Sequence, residues 1–133
     1  FHTVPLKGQF GYDTWIVPGQ AEKATNTGVW APMSADAELG LVYAGVEMPA
    51  TDYYGGTRHG NALFSESLVA LDCETGERRW HYQMVHHGLW DQDVTCAAIL
   101  LDIPGPRGTT IKAIAQPSKQ GYLYVLDRVT GKP

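Results

Sequence analysis

One seven-residue phrase occurs twice and narrows the folds open to this chain. Leu71-Asp72-Cys73-Glu74-Thr75-Gly76-Glu77 and Leu126-Asp127-Arg128-Val129-Thr130-Gly131-Lys132 share the pattern L-D-x-x-T-G-(E/K). In each copy the Asp can accept hydrogen bonds from the turn's backbone N–H groups, the Thr can add another, and the Gly takes the positive φ that closes a hairpin. The phrase is thus a tight corner at the end of a strand. Its copies lie about one blade apart on the scale of roughly 40–50 residues typical of propeller repeats.

The residues around these corners read as short strands. Leu39 to Gly45, Leu68 to Leu71, Arg79 to Val85, Ala97 to Leu101, Lys112 to Ala115 and Tyr122 to Leu126 are the candidates, with Arg79 to Val85 alternating in character around Trp80 and Tyr82 as a half-buried strand does. No stretch holds a helical period over ten residues. Short strands at near-regular spacing between Gly/Pro turns argue for an all-β fold. Residues 1–29 are rich in Gly, Pro, Thr and Asn and read as long loops with at most one short strand. Trp80, four residues after Gly76, brings a large flat side chain to the next strand, where it packs either as a core residue or against a neighbouring sheet.

The chain has 133 residues and a formal net charge of −4, with no Lys/Arg cluster, so the electrostatic footprint of a nucleic-acid partner is missing. No window approaches the roughly 18 apolar residues of a membrane span, and the first residues lack a signal-peptide pattern. Cys73 and Cys96 lie apart without C-x-x-C spacing, compatible with one disulfide or with two thiols.

Chemistry concentrates in His86-His87-Gly88-Leu89-Trp90-Asp91-Gln92-Asp93, where two imidazoles, an indole and two carboxylates share eight residues. Groups this polar cannot all be buried without partners, and their usual home is a loop presented to a ligand by a rigid scaffold.

Ala70-Leu71-Asp72-Cys73-Glu74-Thr75-Gly76-Glu77-Arg78-Arg79-Trp80 resembles the tryptophan-docking motif A-x-D-x-x-T-G-x-x-x-W of the quinoprotein dehydrogenases that use pyrroloquinoline quinone (PQQ). Val85 to Asp93 is similar to that family's active-site loop, especially in its membrane-bound glucose dehydrogenase-like branch. Gln116-Pro117-Ser118-Lys119-Gln120-Gly121-Tyr122 resembles a cofactor-contacting segment of the same branch. The resemblance covers most of the chain from Trp30 onward. It implies part of an eight-bladed β-propeller, roughly two blades, with PQQ near the axis and a periplasmic location, the whole protein being anchored to a membrane only through segments outside these residues.

By the same resemblance the catalytic base falls on Asp91, which would take the proton of a substrate hydroxyl while hydride leaves the adjacent carbon for the quinone. Lys119 takes the place of the cation beside the quinone oxygens, and Trp30 that of the tryptophan forming the floor under the planar cofactor. The metal site departs from the family pattern. Where the methanol dehydrogenase branch has an Asn ligand for Ca²⁺, this chain has Met48, whose thioether is a poor ligand for a hard cation; the neighbouring Glu47 is the expected substitute. Asp93 stands where lanthanide-using relatives carry an additional Asp, but glucose dehydrogenase-like members carry it too, so Ca²⁺ and a lanthanide both remain open.

Adjacent His86 and His87, read as part of an extended strand, would point to opposite sides, so only one would face the site. With Arg58 and Asn61, in a loop resembling the family's R-P-G-D-N segment but with His59 in place of Pro, they are substrate-side candidates. The implied partners are an alcohol or sugar substrate and a quinone or cytochrome electron acceptor. The alternative is a non-catalytic propeller scaffold, which needs the corners and Trp80 but has no use for Asp91, Lys119 and Trp30 together. Two blades alone would leave sheet faces and edges open. The isolated 133-residue chain is therefore expected to be inactive and marginally folded; circular dichroism showing a sharp cooperative thermal transition would refute this.

Overall fold

The computed structural model describes residues 1–51 and 53–133. It contains seven strands: β1 (Ser34–Asp36), β2 (Leu41–Gly45), β3 (Ser67–Asp72), β4 (Arg78–Gln83), β5 (Ile99–Pro104), β6 (Thr110–Pro117) and β7 (Leu123–Asp127). They form a four-stranded sheet in the order β1-β2-β3-β4 and a three-stranded sheet in the order β5-β6-β7, with every pairing antiparallel. The chain is therefore all-β. The six expected strands are present with ends shifted by a few residues, and β1 is an addition. The first 29 residues hold two 3-10 turns, Tyr12–Thr14 and Ala21–Lys23, and no strand.

The recurring phrase folds alike in both copies. Asp72 Oδ1 accepts from the N–H of Thr75 at 2.9 Å and from its hydroxyl at 3.0 Å; Asp127 Oδ1 accepts from the N–H of Thr130 at 2.8 Å and from its hydroxyl at 3.0 Å. Gly76 and Gly131 take φ of 71° and 73°. The β1–β2 hairpin uses a third, divergent version: Asp36 Oδ1 accepts from the N–H groups of Glu38 and Leu39, and Gly40 takes φ 63°. Leu39 stands where the other copies have Thr, so this corner does not carry the L-D-x-x-T-G phrase and β1 is an addition.

Period-two alternation explains the burial of β3. Leu68 and Ala70 face a core shared with Leu41 and Tyr43 of β2, Trp80 of β4, Ile114 of β6 and Leu126 of β7. Val69 and Leu71 face the opposite way, toward Val46, Leu63 and Phe64. The first sheet is thus covered on both faces. The second sheet leaves Ile99, Leu123 and Val125 exposed.

Trp80 joins the sheets. It is 7% exposed, donates Nε1–H to the Arg128 carbonyl at 3.1 Å, and lies so close to Gly131 that a Cβ there would sit 2.6 Å from the indole. Its role is docking between the two corners. Cys73 and Cys96 are both free thiols. Among the described residues no helix is long and apolar enough to cross a membrane.

Replacing Trp80 by Ala empties the inter-sheet joint and should destabilise the complete protein by about 3–5 kcal/mol, measured by denaturant unfolding. On the other face, His81 packs edge-on against Phe64 with ring centroids 5.0 Å apart and has Arg78 Nη1 3.1 Å from its Nδ1. Burial, aided by the Arg78 charge, pushes its pKa down to about 4. The folded state thus binds this proton less readily than the unfolded chain, so stability should fall as pH drops from about 6.5 toward 4. In His81→Phe, the unfolding midpoint should lose that part of its pH dependence.

Candidate functional site

Residues 86–93 leave β4 as an irregular loop. His87 and Asp91 adopt left-handed backbone, with φ of 54° and 51°, a conformation that among residues other than Gly is enriched in Asn, Asp and His. The extended strand assumed for the histidine pair is therefore absent. His86 is exposed, whereas the His87 ring turns back toward the 53–61 loop, its Nδ1 3.2 Å from the Gly60 carbonyl.

The β6–β7 hairpin brings Lys119 to this loop. Its turn is closed by Gly121 N–H donating to Ser118 O at 3.1 Å and Ser118 N–H donating to Tyr122 O at 3.0 Å. From the tip, Lys119 Nζ donates to Asp91 O at 2.7 Å, Asp91 Oδ2 at 3.2 Å and Asp93 Oδ2 at 3.3 Å. Two carboxylates and one ammonium from separate parts of the chain thus meet at one point. Partial burial opposes the charge on Lys119, but both aspartates outweigh it and raise its pKa. Asp93 is buried and anchored by its other oxygen, Oδ1, which accepts the Met48 N–H at 2.8 Å. Asp91 is more open, and the neighbouring Trp90 is 72% exposed.

Glu47 precedes Met48, the residue bonded to Asp93, and is itself paired with the segment that leads to Trp30. Glu47 Oε1 accepts the Gly28 N–H at 2.7 Å, and Glu47 N–H donates to Gly28 O at 3.1 Å. Val29 packs inward, and Trp30 is 56% exposed. Glu47 is thus hydrogen-bonded to Gly28 and the adjacent Met48 to Asp93, which links the Trp30 segment to the Lys119 cluster. Among the described residues, no three His, Cys, Asp or Glu side chains gather as a metal cage, so Glu47 is not grouped with Asp91 and Asp93. Met48 is 2% exposed and serves as core.

Arg58 is 4% exposed, and its Nη2 donates to Gly88 O at 2.6 Å. It also lines a cavity of about 340 Å³ with Trp15, Gln20, Lys23, Pro49 and Thr57. Asn61 is exposed, and its carbonyl accepts from Gln83 Nε2 at 2.7 Å.

Glu66, at the entrance to β3, is the buried residue that sequence reasoning missed. It is completely buried, and neither carboxyl oxygen has a well-aligned hydrogen bond. Burial pushes its pKa up to about 7; Arg58 and the Gly88 N–H oppose the rise, and Asp93 and Asp91 add to it. A signal did exist: one charged residue in the otherwise small and apolar run Phe64-Ser65-Glu66-Ser67-Leu68-Val69-Ala70.

Over residues 1–133 the chain matches the protein-family model described as PQQ glucose/ethanol/alcohol dehydrogenase, beta-propeller domain. It is 45% identical over 105 residues to the glycerol dehydrogenase large subunit of Gluconobacter thailandicus, covering 78% of this chain and 14% of that protein. With the quinate/shikimate dehydrogenase (quinone) of Acinetobacter baylyi it shares 40% identity over 119 residues, 89% of this chain and 15% of the relative. Among solved structures, a quinohemoprotein alcohol dehydrogenase of Pseudomonas putida superposes with a TM-score of 0.79 at 34% identity, over 90% of this chain and 18% of its own. A europium-containing methanol dehydrogenase does so with a TM-score of 0.79 at 30% identity, over 90% of this chain and 20% of its own. The chain thus spans about one seventh of the length of these two curated relatives.

Proposed function

Because the chain belongs to the family of PQQ-dependent glucose, ethanol and alcohol dehydrogenase β-propellers, we propose that its complete protein oxidises an alcohol or sugar, with Asp91 as the general base. The observation that carries this reading is the convergence of Asp91, Asp93 and Lys119. A scaffold built from the same corners has no need to aim a lysine between two carboxylates.

The residues present suit a planar, electron-accepting cofactor. Trp30 offers an indole more than half exposed, and the Lys119 ammonium is reachable from solvent. When bound beside Trp30 and Lys119, PQQ would supply a quinone as the two-electron acceptor for the substrate. The Asp91 carboxylate would take the hydroxyl proton as the substrate carbon is oxidised to a carbonyl. Lys119 holds Asp91 by both its carboxylate and its backbone carbonyl, fixing the base before substrate arrives, and its charge favours build-up of negative charge beside it.

A hard cation would suit these two carboxylates only by taking the place of the Lys119 ammonium between them. Asp91 and Asp93 would bring carboxylate oxygens to Ca²⁺ or a lanthanide, fewer than the roughly six to eight oxygens that Ca²⁺ takes, so other donors must complete the shell. Glu47 joins them only by releasing the Gly28 N–H. The europium named for one structural neighbour supports including a lanthanide. We further propose a quinone or cytochrome as electron acceptor, the quinone being printed in the name of the quinate/shikimate relative, and a periplasmic site of action from the family.

The test uses the complete protein, reconstituted with PQQ and Ca²⁺ or a lanthanide, and follows dye reduction with glucose, glycerol and simple alcohols. PQQ-dependent turnover should fall about 10²–10⁴-fold in Asp91→Asn. A folded protein that neither binds PQQ nor reduces dye would instead support the scaffold reading.

A further inference from the structure

Glu66 is held in left-handed backbone at φ 48°, a conformation in which Gly is unstrained and Glu is not. Its backbone is fixed on both sides: the N–H donates to Glu47 O at 3.4 Å, and the carbonyl accepts from Met84 N–H at 3.0 Å. This chain thus keeps a strained, fully buried carboxyl where glycine would be easier, so the side chain itself has a use. That side chain ends against Gly88. A Cβ built on Gly88 would collide with Glu66 Oε1, Oε2 and Cδ. Gly88 does not have the positive φ that usually calls for glycine, so the missing Cβ is a matter of space rather than backbone freedom. On its other side, the Gly88 carbonyl accepts from the buried Arg58 guanidinium at 2.6 Å.

We propose that Glu66 is a positioning residue for the base: its buried carboxyl and Arg58 bracket the Gly88 peptide, and this bracket fixes the backbone that carries Asp91 three residues later. The His87 ring, with Nδ1 3.2 Å from Gly60 O, pins the same loop one residue earlier. Displacing a catalytic group by about 1 Å can cost roughly a hundredfold in rate, so a rigid support under a loop without regular structure has a direct catalytic consequence. The inference deepens the assignment of Asp91 as base and rests on it only for its kinetic part.

The test is a double-mutant cycle in the complete protein: Gly88→Ala, Glu66→Asp and the pair together. Gly88→Ala drives a methyl into the carboxyl; Glu66→Asp withdraws the carboxyl by one methylene and makes room. Amide hydrogen exchange across residues 86–93, which needs no activity, should speed up about tenfold in Gly88→Ala and recover in the double variant. In PQQ-loaded protein, kcat should fall by about a hundredfold in Gly88→Ala with KM little changed, and should also recover in the double variant. Simple multiplication of the two single effects would overturn the bracket, as would Gly88→Ala exchange rates equal to wild type. If the exchange cycle shows coupling but the wild-type protein has no PQQ-dependent turnover, the bracket stands and the dehydrogenase reading fails.

Discussion

Arg128 binds the two sheets through both ends of the residue. Its carbonyl accepts from the Tyr43 hydroxyl at 3.0 Å and from Trp80 Nε1 at 3.1 Å, so the first sheet reaches across to the second corner. Its guanidinium, almost fully buried, reaches Asp36 at 2.7 Å, Asp102 at 2.8 Å and the Leu101 carbonyl at 2.7 Å. A cation taken out of water needs this many acceptors to offset its lost hydration. Burial of Asp36 works to raise its pKa, but the Leu39 N–H and Arg128 outweigh it and hold the carboxyl below its usual range, so the pair stays ionised. One residue in a hairpin corner thus joins β1, β2, β4 and β5.

That joint decides where the chemistry sits. With the sheets fixed relative to each other, the 86–93 loop between them and the β6–β7 hairpin have a set separation, and Lys119 can reach Asp91 and Asp93. The loop itself has no ladder of backbone hydrogen bonds. Its order comes from contacts by other segments: Arg58 on Gly88, His87 against Gly60, Met48 on Asp93 and Lys119 on Asp91. A loop held in this way can present charged groups that no strand interior would tolerate, because each one is matched by a donor from elsewhere.

Glu66 is the exception within this arrangement. Its oxygens lack aligned partners, and desolvation sets its pKa near 7, between the Arg58 charge and the two aspartates. The residue contrasts with Asp72 and Asp127, each of which has its Oδ1 satisfied within a single turn of its own chain. Local geometry is enough for the corner aspartates. For Glu66, only the approach of residues 58 and 88 gives the side chain a context.

The amino-acid sequence by itself determined the corners and the strands. A turn of the form L-D-x-x-T-G is closed by atoms within a few residues, and period-two patterning marks a strand without reference to its neighbours, so both are visible in the linear order. β1 stayed hidden because its corner satisfies Asp36 Oδ1 with backbone N–H groups and carries no Thr to mark it. Asp91, Asp93 and Lys119 were identifiable as candidates from motif resemblance, but their meeting point is a tertiary fact. The orientation of the histidines was not legible, because a left-handed backbone at His87 answers to Gly55 and Gly60 rather than to residues 85–88. Glu47 was chosen for its chemistry, yet its carboxylate turns to Gly28, nineteen residues earlier in the chain. Tertiary structure alone decided these points, because each depends on which distant donor the fold places beside an acceptor, and separation along the chain carries no record of that.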